Sequence, residues 1–216
     1  MHAVRQVVGT LALLLLLGCA HGGPGQAVAA DPAVTEKIIV QWRRQAPDPN
    51  SVLRQRALPV QPGDDVAGLL DKLRAALWQT GGVGIAAPQL GVSRRVFLIK
   101  HFTRPAGRKV EVTAYLDPEV VWHSDETQDD YEACLSVAQV GGKLPRWQKL
   151  RLRYRPESGG PAQEVELADW DARIAQHELD HLDGTLYIDR VVGELTSIAE
   201  MRRLRDEGHR ARGWIQ

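Results

Sequence analysis

The chain of 216 residues has little cysteine, no excess of either charge and no apolar run long enough to span a membrane. Its two cysteines, Cys19 and Cys134, allow at most one disulfide, which excludes a disulfide-rich scaffold. Lys plus Arg total 27 and Asp plus Glu total 27. This neutrality argues against a generic nucleic-acid binder, whose surface is usually strongly basic, so no nucleic-acid partner is expected.

The composition that remains is that of a globular protein. Apolar residues make up 44% and charged residues 25% of the chain, a mixture that can bury a substantial core. No second linker and no internal repeat interrupts the sequence after about residue 36, so it predicts one α+β domain over residues 36–216. The predicted elements are a helix from Val66 to Leu77 with Asp64 as its cap, strands at Val96–Ile99, Val110–Val121, Leu150–Tyr154 and Val165–Leu167, a helix from Asp169 to Gly184, and a last helix from Glu194 to Arg210.

The N-terminus has the pattern of an export signal. Residues 1–18 carry one charge, Arg5, before a mainly apolar run from Val7 to Leu17. As a helix this run of eleven residues would extend about 16 Å, which is half of a bilayer's hydrocarbon core. The run ends at Cys19 in a sequence that resembles the lipobox of bacterial lipoproteins, in which the cysteine is lipidated. The alternatives are an ordinary cleaved signal and an extension from a start codon assigned too early.

Small, nearly uncharged residues follow this segment, and residues 19–35 are predicted to form a flexible tether. The interpretation as a lipoprotein places the domain outside the cytoplasm, on the periplasmic or cell-surface side, anchored to the membrane through Cys19. If the signal is misread, the protein is cytoplasmic.

A His-Glu-x-x-His motif, His177 to His181, lies on the helix predicted to begin at Asp169. Histidines at positions i and i+4 face the same side of a helix and can bind one metal ion together. Glu178 is rotated by about 100° from His177, where it can handle the proton of a metal-bound water. The alternative is a helix that carries two histidines by chance.

Two histidines leave the site incomplete, since a catalytic metal usually has three protein ligands. Tyr187 stands where the metzincin pattern has its third histidine, and Glu200 lies nineteen residues after His181 on a helix whose apolar stripe is structural. The remaining soft ligand is Cys134, for which a buried free cysteine is the alternative.

A third segment, Gly82 to Gln89, is rich in small residues that let a backbone approach a ligand closely, although tight packing alone would also explain them. Together with Glu132-Ala133-Cys134-Leu135-Ser136 and Gln176-His177-Glu178-Leu179-Asp180-His181, it resembles the three motifs of the peptide deformylase family, in the same order and with similar spacing. The resemblance covers about residues 36–200. It implies antiparallel sheets around a central helix that carries the His-Glu-x-x-His motif, with a C-terminal helix.

The resemblance also implies a function: hydrolysis of the formyl group of N-formyl-methionyl peptides, with release of formate. It implies one divalent metal ion, Fe²⁺ or Zn²⁺ with Ni²⁺ also accepted, bound by Cys134, His177 and His181. Glu178 would act as general base and then acid on the metal-bound water. Gln89 and the backbone N–H of Leu135 would stabilise the developing oxyanion. Oxidation outside the cytoplasm favours zinc.

The family similarity also suggests how a peptide would bind. An extended peptide would pair near Gly84 and Ala133, and its first side chain would enter an apolar pocket with walls from Val83, Trp170 and Ile174. Two departures bear on substrate affinity, because Ala133 replaces a family glycine and Gly141 stands where many members carry arginine. The family similarity further pairs Glu132 with Arg146, and a surface ion pair is the alternative.

The export signal leaves two main hypotheses, since formylated nascent chains are made in the cytoplasm. The first is an active deformylase whose substrates are exported or degraded formyl-peptides. The second is a non-catalytic or re-specialised lipoprotein that binds N-terminally blocked peptides. Retention of Glu178 favours the first, because a pure binder has no use for a proton shuttle. A structural zinc site and a general endopeptidase agree less well with the ligand pattern.

Overall fold

The computed structural model describes residues 51–101 and 110–211. The apolar N-terminal run, Cys19 and the tether at 19–35 lie outside these residues, so the export signal, the lipid anchor and the domain boundaries stay predictions. None of the helices within the described ranges has the length and apolar character needed to span a membrane.

The strands in the described residues are β1 (Gly84–Ala86), β2 (Val96–His101), β3 (Glu111–His123), β4 (Thr127–Cys134), β5 (Val137–Trp147), β6 (Lys149–Arg155), β7 (Gln163–Ala168) and β8 (Thr196–Ser197). They form two antiparallel sheets, one of five strands in the order β1-β2-β3-β6-β7 and one of three in the order β4-β5-β8. With the helices around them, these sheets confirm the predicted α+β class with antiparallel sheets.

The first helix, α1 (Val66–Gln79), follows the predicted apolar stripe, and its leucines are buried against β1 and β2. The predicted cap, Asp64, is wrong by one residue. Asp65 caps the helix, because its Oδ1 accepts from the Gly68 backbone N–H at 2.9 Å. The Asp64 carboxylate is instead occupied by the Arg94 guanidinium, a partner that lies too far along the chain for the local pattern to show.

The last helix, α3 (Ile198–Ala211), begins later than predicted. Residues 196 and 197 form β8, which pairs with Val140 and Gly141 of β5, so Leu195 lies outside the helix. Met201 of α3 packs directly over Gly141, where any Cβ would collide with the Met201 side chain. A larger residue at position 141 would therefore require the Met201 side chain to move.

The second helix, α2 (Asp169–Leu182), is the central helix, and every residue from Asp171 to Leu182 is buried. It contacts β1, β2 and β7 of the five-stranded sheet and β5 of the other sheet. The apolar contacts come from Ile174, Ala175 and Leu182, which pack with Phe97 and Leu150. The His-Glu-x-x-His motif therefore lies in the interior, between the two sheets.

Lys100 is a charged side chain buried at the junction of β2 and α1. Its Nζ donates to the Leu77 carbonyl at 3.1 Å and lies 4.2 Å from the centre of the Trp78 ring. Burial lowers the pKa of the Lys100 ammonium from 10.5 to about 8. At a pH between the folded pKa of about 8 and the unfolded pKa of 10.5, the unfolded chain binds more protons at Lys100 than the folded chain does.

The free energy of unfolding is therefore expected to rise with pH between about pH 8 and pH 10, by about 2 kcal/mol from this residue. Urea denaturation of the wild type and of Lys100→Met across this range measures the difference, because the other titrating groups are common to both proteins. If the free energy of unfolding changed equally with pH in the two proteins, the lowered pKa of Lys100 would be contradicted.

Candidate metal centre

Three side chains from two distant parts of the chain converge in the interior. Cys134 is the last residue of β4, and His177 and His181 lie one turn apart on α2. Their ligand atoms all lie within 4.8 Å of one another, and all three residues are buried. Cys134 Sγ lies 3.2 Å from His181 Nε2. The three residues that the sequence analysis selected as ligands therefore share one site.

The donor set fits a divalent transition metal. One sulfur and two imidazole nitrogens are ligands that suit Zn²⁺ and Fe²⁺. His177 Nδ1 lies 2.9 Å from Glu132 Oε2, and this contact leaves Nε2 as the ligand nitrogen. A carboxylate on the second nitrogen of a ligating histidine is the usual means of fixing the ring orientation.

Glu178 lies beside this group with an unused carboxylate oxygen. Its Oε2 is buried without a hydrogen-bond partner among the described residues. Burial raises the pKa of Glu178 to about 7. A Cβ at Gly84 would collide with Glu178 Oε1 and with the Ile174 side chain, so only glycine lets β1 approach α2 this closely. The carboxyl group is thus positioned to exchange a proton inside the cleft.

Gln89 is oriented by three contacts of its amide. Its Oε1 accepts from the Ala86 backbone N–H at 2.9 Å, while its Nε2 lies 3.3 Å from Ser136 Oγ and 3.8 Å from Cys134 Sγ. The amide N–H₂ therefore points towards the cysteine. Leu135 lies in the turn between β4 and β5, directly after Cys134.

The residues expected to bind substrate fall into two groups. One cleft is lined by Gly82, Val83, Gly84, Gln89, Ala133, Cys134, Leu135, His177 and Glu178. Trp170 and Ile174 are not among its lining residues; they pack with Val83 in the adjacent apolar cluster, Ile174 fully buried and Trp170 partly so. Ala133 is buried and packs against Met201 of α3.

Comparison with known proteins identifies the family. A family model described as Polypeptide deformylase matches residues 42–196. The chain belongs to the peptide deformylase family. It is 41% identical over 158 residues to Peptide deformylase 2 of Nostoc sp., covering 70% of this chain and 87% of that protein.

Solved deformylase structures share the fold. The crystal structure of peptide deformylase from Thermotoga maritima superposes with a TM-score of 0.61 at 32% identity, covering 72% of this chain and 97% of that chain. A class I type b peptide deformylase from Acinetobacter baumannii, solved with Met-Ala-Ser bound, gives 0.59 at 30% identity, with 71% and 98% covered.

Glu132 lies at the centre of a buried cluster of charged side chains in this deformylase. Arg146 Nε and Nη2 each donate to one Glu132 oxygen at 2.9 Å, and the two side chains are 4% and 1% exposed. The alternative of a surface ion pair is therefore wrong. Burial alone would raise the pKa of the Glu132 carboxyl, but Arg146 and His177 hold it well below its usual range. Arg146 also donates to Asp180 at 2.6 Å.

Two buried groups were not predicted from the sequence. Arg173 lies one turn before His177 on α2 and donates to Glu132 at 2.7 Å. His101 Nδ1 lies 2.8 Å from the buried Asp171 carboxylate, which ties the start of α2 to β2. The spacing of Arg173 and His177 was the available signal for the first group. Nothing local marks the second.

Removing the charge of Glu132 should strongly destabilise the fold. Glu132→Gln keeps the shape of the side chain but leaves two buried guanidinium groups with too little negative charge. We expect a loss of about 3–5 kcal/mol in the free energy of unfolding, measured by urea denaturation.

The control is Glu164→Gln on β7, whose partner Arg153 is also exposed, with side-chain exposures of 51% for Arg153 and 44% for Glu164. It should cost about 0–1 kcal/mol. Equal losses in the two variants would contradict a special role for the buried cluster.

Proposed function

We propose that this deformylase hydrolyses the formyl group of N-formyl-methionyl peptides to give formate and a free N-terminal amine. The observation that carries the proposal is the convergence of Cys134, His177 and His181 beside the unpartnered oxygen of Glu178. The three side chains can hold a Lewis acid. The Glu178 oxygen beside them has no hydrogen-bond partner among the described residues, so it is available to accept a proton.

Cys134, His177 and His181 would hold one divalent cation, Fe²⁺ or Zn²⁺. When bound, the cation supplies Lewis acidity that makes water a better nucleophile at neutral pH. Glu178 accepts the proton of that water and later donates it to the leaving amine. Burial raises the pKa of this carboxyl, which strengthens it as a proton acceptor.

Two donors would stabilise the negative charge that develops on the formyl oxygen. The Gln89 amide is turned towards Cys134 by its contact with Ala86, and the Leu135 backbone N–H follows the cysteine directly. Removal of one oxyanion donor typically costs about 2.7–4 kcal/mol of transition-state stabilisation. The Gln89 amide would act without reorganisation, because its contact with the Ala86 backbone already fixes its direction.

The substrate peptide would lie between two edge strands. Within the described residues, β1 and β4 each stand at the end of their sheet, and both contribute to the cleft through Gly84 and Ala133. Backbone pairing with an edge strand is a common way to bind an extended peptide. The first side chain would enter beside Val83, with Ile174 and Trp170 in the apolar cluster behind it. The structure of the Acinetobacter relative with Met-Ala-Ser bound supports a peptide that begins with methionine as the ligand.

Loss of Glu178 is the direct test of the catalytic role. The full chain, loaded with zinc, should release formate from formyl-Met-Ala-Ser. Glu178→Ala should lower this rate by about 10²–10⁴-fold, because the proton acceptor is removed, and should retain zinc, because the three ligands remain.

Formate is measured enzymatically and bound zinc by elemental analysis. Glu166→Ala, an exposed glutamate on β7, is the control and should match the wild type. Formate release by Glu178→Ala at the wild-type rate would contradict the assignment.

We further propose that the protein is an exported lipoprotein anchored through Cys19. The support is the sequence alone, with one charge before a short apolar run that ends at Gly18-Cys19. Acyl chains on the cysteine would hold the protein at the membrane, since each buried CH₂ contributes about 0.8 kcal/mol.

Expression of the full chain in a bacterium that processes lipoproteins tests this location. The mature protein should begin at Cys19, carry acyl mass on it and sediment with membranes, whereas Cys19→Ser should lose the acyl mass and leave the membrane fraction. A wild-type protein found in the cytosol with an unmodified Cys19 would contradict the proposal.

A further inference from the structure

Arg173 is a buried guanidinium that spans three elements of the fold. It lies on α2 with its side chain 6% exposed, and its Nη1 donates to Glu132 Oε1 at 2.7 Å. The same guanidinium also reaches backbone carbonyls of both strands of the β4–β5 hairpin. It contacts the Gln128 carbonyl on β4 and, at 3.4 and 3.5 Å, the Leu144 carbonyl on β5.

This location matters because the proposed metal ligands come from two separate elements. The hairpin supplies Cys134, and α2 supplies His177 and His181. No covalent link fixes the distance between them. Contacts between the hairpin and α2 must therefore set the separation of the sulfur from the two imidazoles.

Glu132 and Arg173 form such a contact. Arg173 and His177 occupy positions i and i+4 of α2, so their side chains project from the same face. The two residues bind opposite oxygens of the Glu132 carboxylate, Arg173 to Oε1 and His177 to Oε2. Arg146 of β5 donates to the same two oxygens. The carboxylate is thus fixed in one plane, and through it the His177 ring is fixed as well.

We propose that Arg173 is a positioning residue for the metal centre, which fixes Glu132 and the β4–β5 hairpin against α2 so that Cys134 and His177 are held at binding distance. The inference rests on the ligand set proposed above and adds a residue outside the three sequence motifs. Arginine suits the task better than lysine, because its planar fork can bind a carboxylate and two carbonyls at once.

Zinc affinity of the full chain without its metal tests this inference, because it is measured in the absence of any substrate. The proteins are the wild type, Arg173→Met and Arg173→Lys, titrated with Zn²⁺ in competition with a chromogenic chelator. Arg173→Met should raise the zinc dissociation constant by about 10–100-fold, the usual effect of losing a group that orients a ligand. The zinc dissociation constant of Arg173→Lys should lie between those of the wild type and Arg173→Met. Lysine keeps a positive charge near Glu132 but lacks the planar guanidinium group.

The matched control is Arg95→Met. Arg95 is also mostly buried and also binds α2, through the Leu182 carbonyl at 3.3 Å and Asp183 at 2.8 Å, but it does not contact Glu132. Its removal should lower the urea midpoint of the metal-free protein and leave the zinc dissociation constant within about twofold of the wild type. A general loosening of α2 would affect both arginine variants alike.

Three results would overturn the inference. The first is a folded Arg173→Met that binds zinc as tightly as the wild type. The second is a loss of zinc affinity in Arg95→Met that equals the loss in Arg173→Met. If Arg173→Met does not fold, wild-type zinc affinity in Arg173→Lys would overturn it in the same way. A wild-type chain that fails to bind zinc at all would instead contradict the proposed function.

Discussion

The buried carboxylate of Glu132 is the group on which the metal centre depends. It lies between a helix and a hairpin that share no covalent neighbour, and it accepts hydrogen bonds from Arg146, Arg173 and His177. A lone carboxylate would not remain ionised in this interior, so the cations and the anion must be buried together. Once they are, the orientation of His177 follows from the cluster and no longer from the helix alone.

The arrangement of the two sheets determines where this cluster lies. Every pairing among β1 to β8 is antiparallel, and the arrangement leaves β1 and β4 as edge strands within the described part of the chain. Each of these edges carries one wall of the cleft, while α2 passes between the sheets and contributes the histidines and Glu178. The site is therefore an interface between elements, and a peptide can complete an edge strand while its terminus reaches the ligands.

Local patterns predicted much of the fold. The apolar spacing of α1 and the strict alternation of β6 both appear in the structure, because each reports which face of one element is buried. Predictions from local patterns were wrong where a segment distant in the sequence binds the residue in question. Asp64 resembles a helix cap but is bound by Arg94, and Leu195 lies outside α3 because β8 pairs with β5.

The sequence was sufficient to place two histidines and a glutamate on one helix, because the spacing of i and i+4 fixes which residues lie on one face. It also linked Cys134 to them, but only through likeness to a family. Three contacts became visible only in the folded chain: Cys134 Sγ lies beside His181, Arg173 binds Glu132, and His101 pairs with Asp171. Those contacts join residues up to 70 positions apart, and their partners are set by how sheets and helices pack, which no local periodicity encodes.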